Sequence, residues 1–264
     1  MRLALGVEYD GRAFTGWQTQ PGGTGVQDAL ERALAEIADE PIGVMCAGRT
    51  DAGVHATAQV VHFDTKASRP LGAWVRGVNA HLPDSVAVTW AVPVADDFHA
   101  RFSATGRRYR YLLLNRPVRP ALQAGRAGWF HAPLDETAMV EAARLLVGEH
   151  DFSAFRAAEC QAKSPVRHLR EVCVQRRGNW ISFDFEANAF LHHMIRNLVG
   201  ALVYVGKGAL DRDGFAELLA RRDRRLSPPT FSPAGLYLCG VTYPDRWSLP
   251  DGGRIIAPVE LPLS

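Results

Sequence analysis

Three features of the 264-residue sequence place it in the α+β class, as two ferredoxin-like or RNP-like halves. Short runs alternate apolar and polar residues with a period of two, the mark of half-buried strands. Between them lie segments with apolar residues at helical spacing. Over the first hundred residues these signals fall in the order β-α-β-β-α-β, a split-βαβ unit, and the second half roughly echoes it in element order though not in residues.

In chain order, "LALGVEYDG" alternates and reads as a strand. After the turn-rich "QPGGTG", the segment "VQDALERALAEIADE" sets Val26, Leu30, Leu34 and Ile37 on one helical face. "IGVMC" and "TAQVVHF" read as strands flanking a loop, "LGAWVRGVNAHLP" as a helix and "SVAVTWAVPV" as a strand. "RRYRYLLLN" opens the second set. "DETAMVEAARLLVGEH" has the acidic first turn of a helix. "REVCVQRRGNWISFDFEA" reads as a hairpin about "RRGN". "FLHHMIRNLVGALVYVG" and "DRDGFAELLARRD" read as helices and "GLYLCGVTY" as the last strand. This predicts an N-terminal domain over 1–104, a C-terminal domain over 105–246 and a Pro/Gly-rich tail over 247–264, partly loose.

Composition excludes little. The chain is 47% apolar and 22% charged, ordinary for a globular protein, and its net charge of +2 does not announce a nucleic-acid binder. The four cysteines have neither C-x-x-C nor metal-ligand spacing and read as the reduced thiols of an intracellular protein. The N-terminus lacks the apolar core of a signal peptide, and His192, His193, Arg196 and Asn197 interrupt the most apolar stretch, so no membrane span is expected. A cytoplasmic location follows as the expectation. No G-x-S-x-G, Walker loop or H-E-x-x-H is present, and the zinc-deaminase elements are missing. His192 and His193 point apart on a helix and have no ligand partner at metal spacing, which favours a structural role.

Three places are chemically pointed. "AGRTDAGVHA", residues 47–56, puts Arg49 two positions before Asp51 in a loop thinned by glycines, either a tight turn or a place where something large approaches the carboxylate. "FHARF" and "RRYRY" interleave Arg101, Arg107, Arg108 and Arg110 with aromatics. Strand alternation sets Arg108 and Arg110 on one face and Tyr109 and Tyr111 on the other, suited to phosphate and base or to a solvated edge. Arg196 lies on a helix apolar nearly all round, so it should be buried and needs a carboxylate. "ARRDRR", 220–225, reads as a solvated helix end.

With "FTGWQTQ", "AGRTDAGVHA", "FHARFSATGRRYRY", "FLHHMIRNLVG" and "GLYLCGVTYPDR" in that order, the chain resembles the TruA family of tRNA pseudouridine synthases over nearly its whole length. The departures are Gly25 before "VQ" and the Pro-rich tail. The resemblance implies the pseudouridine synthase fold, with two halves sharing an extended antiparallel sheet, a homodimer, and a site in a basic cleft between domains. It implies isomerisation of uridine to pseudouridine at positions 38, 39 and 40 in the anticodon stem-loop of tRNA, with no metal and no organic cofactor. It makes Asp51 the catalytic nucleophile and Arg49 the residue engaged in base flipping. Tyr109 would pack on the target base, Arg196 would pair with the catalytic carboxylate, and Leu236 would line the pocket. The tRNA-contacting segments match Phe98, His99, Ala100, Arg101 and Phe102, and Glu159, Cys160, Gln161, Ala162 and Lys163. A non-catalytic RNA-binding module would share the basic and aromatic faces but has no use for a carboxylate facing a phosphodiester. A small-molecule enzyme on the same scaffold leaves the Arg/Tyr blocks without a purpose.

Overall fold

The computed structural model describes residues 1–250, so the part of the expected tail from 251 onward lies outside the described residues. The chain forms two compact units, Met1–Gly106 with the segment from Tyr237, and Arg107–Leu236.

The first unit follows the expected order. It runs β1 (Arg2–Tyr9), α1 (Val26–Ala38), β2 (Met45–Cys46), β3 (His55–Asp64), α2 (Val78–His81) and β4 (Val86–Val94). β1 lies between β3 and β4 and is antiparallel to both, with Leu5 opposite Val61 and Ala91, and β2 is antiparallel to β3. This is the interleaved pairing of a split βαβ unit. α1 buries Val26, Leu30 and Leu34 as its spacing demands, and ends where Asp39 turns left-handed at φ 57. α2 is entered through a π-turn, Ala73–Gly77, that places Trp74 fully inside against Phe63.

β2 is shorter than "IGVMC" suggests. Ile42 and Val44 are buried, but the Val44 N–H is taken by the Glu31 carboxylate of α1 at 2.9 Å rather than by a neighbouring strand. Apolar side chains at alternate positions therefore do not lengthen the ladder there.

The second unit contains β5 (Gly106–Asn115), β6 (Gly128–Phe130), α3 (Glu136–Arg144), β7 (Gly148–Asp151), β8 (Val166–Arg177), β9 (Trp180–Ala187), α4 (Met194–Gly206) and α5 (Arg212–Arg221). β9 lies between β5 and β8, with β7 beyond β8; these pairs are antiparallel, whereas β6 runs parallel to β5. The β8–β9 hairpin turns at Gly178, φ 57, and Asn179, within the expected "RRGN".

Two helices are shorter than their sequence signals. The helix expected through 150 stops at Arg144, because Gly148 takes φ +110 and 148–151 pair with β8 instead. The helix expected from Phe190 starts at Met194, because His193 is left-handed at φ 60. His192 and His193 thus lie in a turn, rings 4.0 Å apart, and not at successive positions of a helix.

The chain returns to the first unit with β10 (Leu236–Thr242), whose Tyr237 and Leu238 pair in parallel with His55 and Ala56 of β3. The architecture is α+β with mostly antiparallel pairing, as the sequence predicts. No helix among the described residues is long and apolar enough to cross a membrane, and none of the four cysteines is in a disulfide.

Candidate active site

The loop between β2 and β3 is held from below by a buried polar group. Gln59, fully buried on β3, donates through Nε2 to the Gly48 carbonyl at 2.6 Å, and its Oε1 accepts from the Gly48 N–H at 3.4 Å. The same Nε2 lies 3.5 Å from the Tyr9 hydroxyl, which shares a 2.8 Å bond with Thr50 Oγ1. The Thr50 carbonyl accepts from the Trp17 N–H at 3.0 Å, and the Val54 N–H closes the loop onto the Asp51 carbonyl at 3.1 Å.

Gly16 backs this segment at φ +107, where a Cβ would sit 3.0 Å from the Thr50 carbonyl oxygen; a larger residue would be both strained and crowded. The backbone from 48 to 51 is therefore fixed. Asp51 stands half-buried on it, and Arg49 projects into solvent. Burial pushes the neighbouring Cys46 thiol up to about 12 even with Arg49 nearby, so it stays protonated and is no rival nucleophile.

In the second unit, Tyr109 of β5 is almost wholly buried and meets Phe190 edge to face at 5.1 Å. Arg196 lies in the first turn of α4 and is half-buried, less than the apolar helix around it suggests. Its Nε donates to the Phe231 carbonyl at 2.9 Å, and the Phe231 N–H returns a bond to the Arg196 carbonyl at 3.2 Å. Leu236 is buried at the start of β10.

Alternation on β5 holds, but the arginine face is not an unopposed basic surface. Arg108 sits across from Glu186 and pairs with it, with Glu171 also 3.6 Å away. Arg110 sits across from Asp184 and pairs with it at 2.7 Å. Cross-strand carboxylates thus neutralise both arginines inside the unit.

The segment 98–102 divides between core and surface. Phe98 and Ala100 are fully buried. Phe98 packs against Tyr243 and Trp247, and its carbonyl accepts from Arg2 at 2.9 Å. Ala100 donates to His62 Nδ1 at 3.1 Å and accepts from the Tyr243 hydroxyl at 2.6 Å. Burial, with the His99 imidazole and the Arg2 guanidinium nearby, holds His62 down at about 4, so near neutral pH its Nδ1 is an acceptor. On this base Phe102 stands 76% exposed, with the His99 ring 4.3 Å away and the Arg101 guanidinium 5.7 Å from its centroid. Any RNA contact by these five side chains falls to His99, Arg101 and Phe102.

In the second segment Glu159, Gln161 and Lys163 are exposed while Cys160 and Ala162 are half-buried. Arg156 ties the loop by donating to the Cys160 carbonyl and, at 2.9 Å, to that of Ala162. Glu159 lies 3.7 Å from His192, and the His192 carbonyl accepts from Ala157 N–H at 3.0 Å.

The residues that sequence reasoning misses are the supports, Tyr9 and Gln59. The signal is there in "TAQVVHF". Gln59 shares its alternation with Val61 and Phe63, both buried, and a polar residue on a core face must have partners.

The comparisons with known proteins cover nearly the whole chain. The family described as "tRNA pseudouridine synthase" matches residues 6–103 and 142–244. The tRNA pseudouridine synthase A of Dechloromonas aromatica (strain RCB) is 66% identical over 251 residues, 95% of this chain and 96% of that protein. The protein of that name from Aromatoleum aromaticum is 64% identical over 99% of both chains. That from Chromobacterium violaceum is 63% identical over 95% of this chain and 96% of its own. A chain of the solved "Crystal Structure of a Cbf5-Nop10-Gar1 Complex" aligns with 89% of this one and 48% of itself, at TM-score 0.41 and 12% identity, too remote a likeness to argue from.

Proposed function

The chain belongs to the tRNA pseudouridine synthase family, and from that premise we propose that it isomerises uridine at positions 38, 39 and 40 of the tRNA anticodon stem-loop, with Asp51 as the nucleophile. The reaction breaks the N1–C1′ bond, turns the base over while it stays captive, joins C5 to C1′ and releases the C5 proton. A carboxylate serves as nucleophile only when ionised and held in aim. The observation that carries the reading is the bracing of 48–51 by Gln59 and Tyr9, which presents Asp51 on a fixed backbone beside solvent-facing Arg49.

The other roles follow the same reading. Arg49 enters the space vacated by the flipped uridine, where a planar guanidinium stacks on bases and bonds to phosphate. Tyr109 and Leu236 receive the base, and Arg196 balances the carboxylate's charge. Segments 98–102 and 159–163 take up the tRNA, and the active form is a cytoplasmic homodimer. Val118, Leu122 and Trp129, exposed on the second unit, supply apolar surface for a second copy.

The test is tritium release from tRNA labelled at uridine C5, because isomerisation must expel that label. Release to water by the protein, and none by Asp51→Asn at an unchanged melting temperature, is the expected result. No release from any tRNA rejects the reading, and release by a clean Asp51→Asn preparation rejects the nucleophile.

A further inference from the structure

The basic run at 220–225 is not uniformly solvated. Arg221 pairs with Glu217 at 2.6 Å, and Arg225 pairs with Asp223 at 2.6 Å, both on the surface. Arg224 turns the other way. Its Nη1 donates to the carbonyls of Ser227 at 3.1 Å and Pro228 at 3.0 Å, and its Nη2 donates to Asn197 Oδ1 and Thr230 Oγ1, both at 3.1 Å. The Thr230 hydroxyl adds a 2.7 Å bond to the same Asn197 oxygen, while Asn197 Nδ2 donates to the Phe155 carbonyl at 2.8 Å.

Asn197 is fully buried, so its oxygen depends on these two donors. One guanidinium thus fastens 227–230 to α4. The two residues it joins, Asn197 and Thr230, are the immediate neighbours of Arg196 and Phe231, which bond to each other through Arg196 Nε and through the backbone.

We infer that Arg224 is a positioning residue, fixing through Asn197 and Thr230 the Phe231 carbonyl that aims the Arg196 guanidinium. The inference rests on the role proposed above for Arg196. A bond at Nε sets the rotation of the guanidinium plane, and with it the directions in which both Nη groups point. Loosening 228–231 frees that rotation without removing any group that meets the substrate. A small loss of aim is costly where a charge must match a developing charge.

The experiment compares wild type with Arg224→Gln in single turnover, with tRNA tritiated at uridine C5 and enzyme at saturating concentration. Arg224→Gln is expected to slow release by about 10–100-fold, with tRNA Kd within about twofold of wild type. Arg224→Lys, which keeps a cation within reach of the Ser227 and Pro228 carbonyls, is expected to recover part of the rate. In an Arg196→Lys background the same Arg224→Gln change is expected to cost little more, because the route through Nε is already gone. Equal slowing in both backgrounds, a loss confined to Kd, or an unchanged rate in folded Arg224→Gln protein would overturn the inference. If Arg224→Gln does not fold, Thr230→Val removes one hydroxyl from the same clasp and is judged by the same criteria. Absence of release by the wild-type protein would reject the proposed function instead. Amide exchange at Thr230 and Phe231 then judges the clasp without turnover: faster exchange in Arg224→Gln supports it, and unchanged exchange overturns it.

Discussion

Gln59→Leu separates the bracing of the 48–51 loop from the chemistry it serves. Leucine keeps roughly the volume on a face that also carries Val61 and Phe63, so no large cavity opens. What is lost is the pair of bonds to the Gly48 peptide, at 2.6 and 3.4 Å, and the 3.5 Å approach to the Tyr9 hydroxyl. Removing one partner leaves the other desolvated, at about 1–3 kcal/mol for an orphaned group. Water reaches half-buried Gly48 in part and leucine adds apolar burial, so a net loss of about 2 kcal/mol is expected. For a chain of this size that lowers the melting temperature by about 4–8 °C. The rate should suffer more than the stability, because Gly48 is the residue before Arg49 and three before Asp51. A displacement of about 1 Å there costs on the order of 100-fold. Circular dichroism melting and single-turnover tritium release, measured well below the transition, read the two effects separately. A rate within error of wild type in the folded variant would refute the bracing role.

Three further outcomes follow from particular contacts. Arg49→Ala should slow isomerisation severely in a full stem-loop and distinctly less in a substrate already single-stranded at the target; equal losses would show that Arg49 serves the chemistry or general binding. Phe102→Ala should weaken tRNA binding, seen by filter retention, without moving the melting temperature. Phe98→Ala should cost about 3–5 kcal/mol of stability, and a reversal of these two patterns would refute the division of the segment into surface and core. His62, with an ordinary value of 6.5 and held at about 4 in the folded chain, contributes stability that is complete above 6.5 and is lost as pH falls toward 4, because only the unfolded chain takes up the proton in that window. His62→Asn, whose Oδ1 can replace the Nδ1 acceptor, should flatten this limb of a melting temperature against pH series, and an unaltered limb would exclude His62 as its cause.

Much of the fold is legible in the sequence, the candidate site is read there only through the family resemblance, and the misses have physical causes. The hairpin around Gly178 and the face of α1 are local, set by turn chemistry and by side-chain period. The start of α4 is not. Nothing in "FLHH" forbids a helix, and the left-handed His193 that ends the expectation is visible only in the folded chain. β7 falls inside a run read as helical, and it becomes a strand because the chain turns at Gly148, φ +110, and pairs with β8. Asp51 and Arg49 are singled out by the family resemblance, since the glycine-thinned loop taken alone reads equally as a tight turn, whereas Arg224 is indistinguishable from its solvated neighbours until its four acceptors are seen. Arg108 and Arg110 likewise read as a cationic stripe until the opposite strand supplies its carboxylates.

The return of β10 to the first unit carries a consequence for biosynthesis. Among the described residues the second unit is one unbroken stretch, Arg107–Leu236, complete as soon as Leu236 has left the ribosome. The first unit begins the chain but cannot finish, since His55 and Ala56 of β3 wait for Tyr237 and Leu238. At about 5–20 residues per second, the 131 residues from Gly106 to Tyr237 take roughly 7–26 s to make. For that interval the strand that follows the Asp51 loop carries an open edge, the kind of template on which nascent chains join one another. The order of synthesis thus leaves the segment around the candidate nucleophile among the last parts of the molecule to be sealed, and a translational pause before residue 237 would lengthen its exposure.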